Sequence, residues 1–556
     1  MTEVPVLIIG AGPVGLGLAA ELGWLGQRCM VVEQSDGTVA HPRANAVNSR
    51  TMEFCRRWGI AEQVKNSGTP PGFPSDIVYL TSFPGHEIAR ITRPTYGGTK
   101  PLATTPEQSQ RCIQLWFDPI LRELAAGFDG VELRYRCRFE SFEQTRDGVI
   151  ATLHDLKSDR REKIFAQYLV ACCGAQSGVG KALGIRMEGV EVLSYNLNVF
   201  LRVPQLWDHH DKGKAAFYFF SDPEGFNNTL VELDGKDLWR LAIDLGKNRV
   251  APESVDVPGL LRRLFGPEVP LEILSTLPWT CRSIVATAFG SKRVLLAGDA
   301  VHQHAPTGGF GMNTGMGDAT NLGWKLAAAL EGWAGPALLE SYELERRPVA
   351  QRVVAEATDN LTHPFDKSLL RLADRSDVEG ERAREKLREH ILTYKTKHFV
   401  SDGLVLGYRY DASPIVVSDG TPPPEHSVMR YTPTSRPGSR APHAWLAEGK
   451  STLDLFGRGY VLVAFEGAAK HAAGLSAAAA ERGVPLRIVE IDAPEIAKLY
   501  ERKLVLVRPD GHVAWRGDTA PADAGQLVDV VSGYLSATTS TSIEPMRSML
   551  PFNLSP

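Results

Sequence analysis

The chain has 556 residues, 43% of them hydrophobic, enough to bury large cores and divide into two to four domains. A net charge of −4, from 61 basic and 65 acidic residues, leaves no electrostatic footprint for nucleic acid or an anionic membrane. The 7 cysteines are scattered, odd in number and free of any CxxC pair, the usage of buried thiols in a reducing compartment, so a cytoplasmic location is expected.

Residues 4–25 are almost uncharged, but Glu3 precedes the run, no basic stretch opens it, and Glu21 interrupts it. Glycines at 10, 12, 15 and 17 break it into a buried strand at 6–9 and a helix at 16–25. A second buried strand at 29–32 completes a βαβ unit, which implies a parallel sheet. No other run is long enough to span a bilayer. Helices are expected at 50–58 and 113–126, with loops and short strands from 68 to 106. Residues 131–156 alternate as hairpin strands, and 168–172 form another buried strand. Strand-like pieces at 198–203, 215–220, 229–233 and 239–245 predict an inserted antiparallel sheet. A parallel strand returns at 294–297, followed by a glycine-rich loop and helices at 318–330, 340–362 and 382–393. A Pro-rich stretch at 421–442 reads as a linker. Beyond it comes a small α/β region with strands at 460–465, 486–491 and 504–507 and a helix at 468–482. The turn Asp510-Gly511 joins 504–507 to 512–515 as a hairpin. The Ser/Thr-rich tail follows about residue 535.

Gly10-Ala11-Gly12-Pro13-Val14-Gly15 fits GxGxxG between a strand and a helix, the context that gives the pattern meaning. Gly10 permits the tight turn, Gly12 lets a pyrophosphate approach, and Gly15 lets helix and strand pack closely. The helix start favours phosphate charge. Glu33, with Gln34 beside it, ends the second strand where an acid can bond a ribose hydroxyl. An acid there favours an unphosphorylated ribose, so FAD or NAD.

The stretch 294–326 reads VLLAGDAVHQHAPTGGFGMNTGMGDATNLGWKL. Its strand ends in Gly298-Asp299, and Pro306-Thr307-Gly308-Gly309-Phe310-Gly311 leads into a helix. Asp299 can accept hydrogen bonds from a polyol, while the loop offers unhindered amides and the helix start a positive dipole.

This stretch resembles the GD motif of class A flavoprotein monooxygenases, the FAD-dependent aromatic hydroxylases with a para-hydroxybenzoate hydroxylase-like fold. The resemblance implies that Asp299 binds the ribityl chain of FAD, and that Pro306, Gly308, Gly309 and Gly311 run along the flavin ring. It also implies that Met312 and Asn313 face the pyrimidine end of that ring. His41-Pro42-Arg43-Ala44, followed by Arg50-Thr51-Met52-Glu53, resembles the flavin-flanking segment of phenol hydroxylases, which adds Arg43. Gln114 fits the family glutamine on FAD. The C-terminal region resembles the thioredoxin-like domain of the phenol hydroxylase branch.

The implied fold is therefore α/β. A Rossmann-like FAD-binding domain with a helical extension takes residues 1–75, 100–189 and 282–400. An antiparallel-sheet substrate domain takes 76–99 and 190–281. A linker at 401–440, a thioredoxin-like domain at 441–540 and a tail at 541–556 complete the chain. The implied reaction is hydroxylation of a phenolic or catecholic ring with O2 and NADH or NADPH, through a flavin C4a-hydroperoxide. A polyketide-tailoring hydroxylase and a flavin oxidase or dehydrogenase are the alternatives. The partners expected are a small aromatic substrate and O2, with no nucleic acid or membrane and with a homodimer as the assembly to test.

Two positions depart from the family. Cys173 stands where the family Asp of its DG motif is expected, and Gly180 where an Arg is usual, which bears on how the reductant binds. Asn45 stands where phenol hydroxylase has an Asp that helps deprotonate substrate, and asparagine is no base at neutral pH. An already acidic phenol, nitro- or halo-substituted, would need no such base. His304, Asn45 and Pro306 are the candidate catalytic positions. His302 and His304 form HxH without a third ligand at metal spacing, so no metal is expected. His209-His210 reads as a solvated loop, and Cys172-Cys173 as buried thiols. The aromatic strands at 217–220 and 239–240 suit either a substrate wall or plain core.

Overall fold

The computed structural model describes residues 1–41, 43–95, 102–535 and 537. Pro42 and the expected tail at 541–556 lie outside the described residues, as do 96–99 of the expected substrate segment. The N-terminal strand Thr2–Ile9 sits at the centre of an eight-stranded sheet. Cys29–Glu33 and then Val131–Tyr135 run parallel to it on one side, and Arg160–Ala171 and then Val294–Leu296 on the other. Its residues Val6, Leu7 and Ile8 are fully buried, because the helices Pro13–Trp24 and Gly311–Glu331 pack over the sheet. Burial on both faces is what gives these strands unbroken apolar runs. Glu21, the charge inside the apolar helix, is itself buried and satisfied: Arg57 Nη2 donates to it at 2.6 Å and Trp58 Nε1 at 2.7 Å.

The segment 131–156 divides differently from the hairpin expected. Arg136 adopts φ 55, which ends one strand and starts another. Val131–Tyr135 joins the parallel sheet, and only Cys137–Gln144 and Val149–Asp155 form an antiparallel pair.

A second eight-stranded sheet lies beside the first, in the spatial order 302–303, 272–286, 187–202, 238–244, 225–232, 217–222, 77–80, 87–91. Its pairs are antiparallel except Phe217–Asp222 with Ile77–Leu80, which run parallel, so the inserted sheet is mixed. Two long strands, Met187–Arg202 and Glu272–Ala286, carry the chain out to it and back. Leu197, Val199, Leu201, Trp239, Leu241 and Ile243 pack with Leu261 and Leu264 of the helix Val257–Phe265 on one face. By alternation, Asn198, Phe200, Arg240 and Ala242 belong to the opposite face.

The C-terminal region is a four-stranded sheet in the order 486–491, 460–465, 504–507, 513–517; the first pair is parallel and the others antiparallel. The turn Asp510-Gly511, with Gly511 at φ +81, makes the expected hairpin. The segment expected as a linker, 401–440, carries little regular structure but is firmly packed. Tyr408, Tyr410, Ser435 and Arg440 are buried, and Gly438 N donates to Val513 O at 2.8 Å. Arg440 donates to Glu53, with Nε at 3.0 Å from Oε2. Prolines remove donors but do not stop a chain from packing, so a Pro-rich composition is a poor sign of freedom here.

Candidate active site

Both glycine motifs open at the C-terminal ends of parallel strands, next to one another. Gly10 has φ +102, and a β-carbon on it would lie 2.6 Å from the carbonyl oxygen of Cys172. A β-carbon on Gly15 would collide with the Gly10 carbonyl. Gly12 has nothing within 4 Å on its open side, which leaves room for a ligand against the backbone. Pro13 occupies the first turn of the helix, and its fixed φ suits that position. Val14 meets the second motif: β-carbons on Gly298 or Gly315 would run into its methyls. Glu33 at the strand end accepts from Ala11 N at 3.0 Å and Ser35 N at 2.8 Å, closing the turn. Gln34 beside it is exposed.

In the second motif Gly298 has φ +66, and its N–H donates to Asp318 Oδ2 at 3.1 Å. Asp299 is exposed, yet desolvation by the surrounding protein raises its carboxyl above the ordinary carboxylate value, against the pull of His302 and Arg43. Pro306 and Gly309 are exposed, and Gly308 and Gly309 have φ +81 and +65. A β-carbon on Gly308 would strike the Phe310 ring, so the loop demands glycine twice over. Gly311 packs against His304 and starts the helix Gly311–Glu331. Met312 packs into the cluster of Leu16, Val47 and Met52. Asn313 ties the loop to its neighbour: Nδ2 donates to Gly309 O at 2.8 Å and Ala46 O at 3.0 Å, and Oδ1 accepts from Asn48 N at 2.9 Å. Its side chain is thus committed to the protein backbone.

That neighbour is the segment 43–48. Arg43 is exposed, and Ala44 O accepts from Gln114 N at 3.2 Å. Gln114 Nε2 donates to Asp118 Oδ2 at 2.9 Å, and burial pushes Asp118 up to about 7. The Asn45 side-chain oxygen is buried without a hydrogen-bond partner among the described residues.

His304 Nδ1 lies 3.1 Å from Ala305 O, which fixes the tautomer with Nδ1 as donor and leaves the buried Nε2 without a partner among the described residues. Burial and the neighbouring His302 push it down to about 4, so it is neutral at neutral pH. His302 faces elsewhere: its Nε2 is 2.7 Å from Asp318, which also pairs with Arg346 at 2.8 Å, all fully buried. Among the described residues no cluster suits a metal.

Cys173 adjoins the Gly10 turn and hydrogen bonds Ser177 Oγ at 3.1 Å, and burial raises both thiols of Cys172-Cys173. His210 corrects the expectation of a solvated loop: its ring stacks on Phe83 at 4.0 Å, and burial pushes it down to about 4. The aromatic strands divide by face. Trp239, Tyr218 and Phe220 belong to the core, while Phe217 and Phe219 fall on the side of Arg240. His41, read from the sequence only as part of the 41–44 motif, is buried with Nδ1 3.0 Å from Ser275 Oγ. Its partner comes from a distant strand, and no local pattern announces it.

The residues fit an FAD. The Gly12 side is open, the Asp299 carboxylate is exposed and takes no hydrogen bond among the described residues, and Gly308 and Gly309 hold the positive φ that favours glycine.

Comparison with known proteins agrees with this geometry. The FAD binding domain family matches residues 3–357, and the C-terminal domain family of aromatic-ring hydroxylases matches 434–537. A putative polyketide hydroxylase of Streptomyces halstedii is 32% identical over 94% of this chain and 95% of its own. The 4-methyl-5-nitrocatechol 5-monooxygenase of a Burkholderia species is 31% identical over 96% and 98%. The structure of the rebeccamycin biosynthetic enzyme RebC with reduced flavin superposes with a TM-score of 0.88 at 41% identity, covering 96% of this chain and 99% of that one. With the strand-end glycine motifs, the exposed Asp299 carboxylate and these full-length similarities together, the chain belongs to the class A FAD-dependent aromatic-ring hydroxylases.

Proposed function

We propose that the protein inserts one oxygen atom of O2 into an aromatic ring bearing a hydroxyl, with NADH or NADPH as the reductant of its FAD. The observation that carries this reading is that Asn313 ties the 306–311 loop to the 43–48 segment, with His302–Gln303, between Asp299 and that loop, paired to the mixed sheet. FAD supplies the activation of dioxygen. The protein does the rest. Gly10, Gly12, Pro13, Val14 and Gly15 seat the pyrophosphate, Glu33 and Gln34 the ribose, and Gln114, Arg43 and Asp299 the remainder of the cofactor. Pro306, Gly308, Gly309 and Gly311, with the backbone of Met312 and Asn313, line the ring and favour negative charge through the helix start.

His304 offers a neutral acceptor beside Gly311 of the loop, and Asn45 an amide in place of a base. Both suit a substrate that arrives already ionised, such as a nitro- or halo-substituted phenol or catechol. The polyketide relatives favour a larger polycyclic phenol equally. The parallel-sheet portion serves as the cofactor domain and the mixed sheet as the substrate domain. The 2-1-3-4 strand order at 460–517, with a parallel first pair, supports a thioredoxin-like C-terminal domain that has no CxxC and serves packing.

The test is NAD(P)H consumption by the purified yellow protein with a panel of phenols under isotopically labelled dioxygen. A hydroxylated product carrying one labelled oxygen supports the reading. Ring oxidation without label would make the protein an oxidase or dehydrogenase instead.

A further inference from the structure

The segment 401–440 packs against the helix Pro336–Thr362 on one side and the C-terminal sheet on the other. A groove runs along it, lined by Tyr408, Arg409, His426, Arg430, Thr434 and Ser439 among others. The hydrogen bonds of this groove do not close. The His426 ring stands between two guanidinium groups: Nδ1 is 2.8 Å from Arg352 Nη1, and Nε2 is 2.9 Å from Arg409 Nη2. Burial, Arg352 and Arg409 all lower the proton affinity of the ring, against the pull of Asp411, so it is neutral at neutral pH. A neutral imidazole accepts at one nitrogen and carries a proton on the other. One of the two arginines therefore faces an N–H and finds no acceptor in the ring.

Carboxylates do not make up the shortfall. Arg352 has none within ion-pair range among the described residues, and its other contact is a long one, Nη2 to Ser427 O at 3.4 Å. Asp411 is already shared between Arg409, whose Nε is 3.1 Å away, and Arg436. Arg430 is exposed, and among the described residues its side chain has no hydrogen bond or ion pair. Glu425 also lines the groove but is exposed and pairs with none of these arginines. Two hydroxyls join the unused donors. Ser439 is 4% exposed, and its buried Oγ has no partner among the described residues. Thr434 Oγ1 accepts from Arg436 N at 3.1 Å and keeps its own proton to donate. The groove also adjoins the elements around the 306–311 loop. Tyr408 accepts from Arg50 Nε at 3.3 Å and borders a second cavity with Asn48, Asn313 and Thr314.

We propose that this groove binds a phosphate monoester dianion, with Arg352, Arg409 and Arg430 as counter-charges and Ser439 as a hydroxyl donor. Guanidinium groups arriving from separate parts of the chain suit an anion with three terminal oxygens, whereas two parallel donors already satisfy a planar carboxylate. An occupant closes the hydrogen bonds of the groove: the arginine that faces the imidazole N–H turns to a phosphate oxygen, and the Ser439 hydroxyl gains its acceptor. Two sources of this group are inorganic phosphate and the 2′-phosphate of NADPH. The nearness of Tyr408 to Asn48 and Asn313 favours the second. That choice of source alone rests on the monooxygenase reading; the site itself is a binding statement.

The test titrates the FAD-loaded protein calorimetrically with adenosine 2′-phosphate, adenosine and inorganic phosphate. The wild type should bind adenosine 2′-phosphate at least about tenfold more tightly than adenosine, and inorganic phosphate should compete with it. Arg430→Gln, at an exposed position without partners, should weaken binding about threefold or more at unchanged flavin content and circular dichroism. Arg409→Gln with Arg430→Gln should weaken it about tenfold or more, and Ser439→Ala should weaken it as well. Equal affinity for adenosine 2′-phosphate and adenosine overturns the site, as does an affinity that none of these variants changes. The source is read from the KM of flavin reduction. A KM for NADPH at least about tenfold below that for NADH, brought within about twofold by the double variant, assigns the groove to the reductant. Equal KM values with adenosine 2′-phosphate still bound leave inorganic phosphate as the occupant. Labelled oxygen delivered to a phenol by the double variant would leave the monooxygenase reading standing whatever the probes show.

Discussion

At the scale of single residues, the unshared carboxylate of Asp299 and the thiol of Cys173 make the sharpest claims. A hydrogen bond to a charged group is worth about 1.5–3 kcal/mol, so Asp299→Ala should weaken FAD binding about tenfold to a hundredfold and purify largely colourless. Full flavin occupancy in that variant would remove Asp299 from the cofactor site. Cys173 is a neutral thiol at neutral pH because burial raises it. In the proposed assignment FAD has several other anchors, whereas the transient reductant has few. Cys173→Asp should therefore change the KM for NAD(P)H, or the rate of flavin reduction in stopped flow, by about tenfold or more. Altered flavin content with unchanged reduction kinetics would move the effect to FAD. Asp118 gives a pH signature of its own. Its folded-state value of about 7 lies above the ordinary 3.8, so the folded state binds the proton more tightly than the unfolded chain does. Stability then falls as pH rises between these values, and the loss is complete above about 7. Asp118→Asn, which cannot ionise, should raise Tm at pH 8 and leave it nearly unchanged near pH 4. An equal shift at both values would show that packing, not ionisation, governs this position.

At the scale of elements, local rules succeeded where the backbone itself imposes them. The GxGxxG turn and the 306–311 loop were legible because a positive φ or a close approach demands glycine whatever surrounds it. Gly308→Ala tests this. With φ +81 and the Phe310 ring in the way, the variant should keep its far-ultraviolet circular dichroism but lose flavin affinity. Retained affinity would mean the loop can deform freely. Elements whose partners lie far away were less legible. Residues 187–197 did not read as strand, because Glu188, Gly189 and Glu191 interrupt the alternation; it is the long pairing with Glu272–Ala286 that holds them. The 131–135 strand likewise pairs with Cys29–Glu33, not with the hairpin that follows it. The helix at Gly311–Glu331 begins well before the expected 318 because its glycine-rich first turns are supported by packing against Pro13–Trp24.

At the scale of the whole molecule, a buried ionic network joins the C-terminal region to the cofactor helices. Arg508 donates to Glu345 at 2.6 and 2.9 Å and to Asp510 at 2.6 Å, and Lys325 reaches Glu345 at 2.6 Å, all fully or almost fully buried. Removing one partner from such a network strands the others, at a cost of about 3–5 kcal/mol. Arg508→Met should therefore lower the Tm followed by flavin fluorescence by several degrees, and the same shift should appear in circular dichroism. Flavin release well below the unfolding temperature would instead mark the C-terminal region as a separately melting unit. Read alone, the sequence determined the FAD-binding family of this protein, because glycine geometry and strand-end acids are constraints of a few consecutive residues. Only the tertiary structure decided which face of the mixed sheet each strand residue joins. Arg240 was legible only as part of a strand that suits a substrate wall or plain core, and His41 only as part of the 41–44 motif; what each meets is set by long-range strand pairing, which no run of consecutive residues encodes.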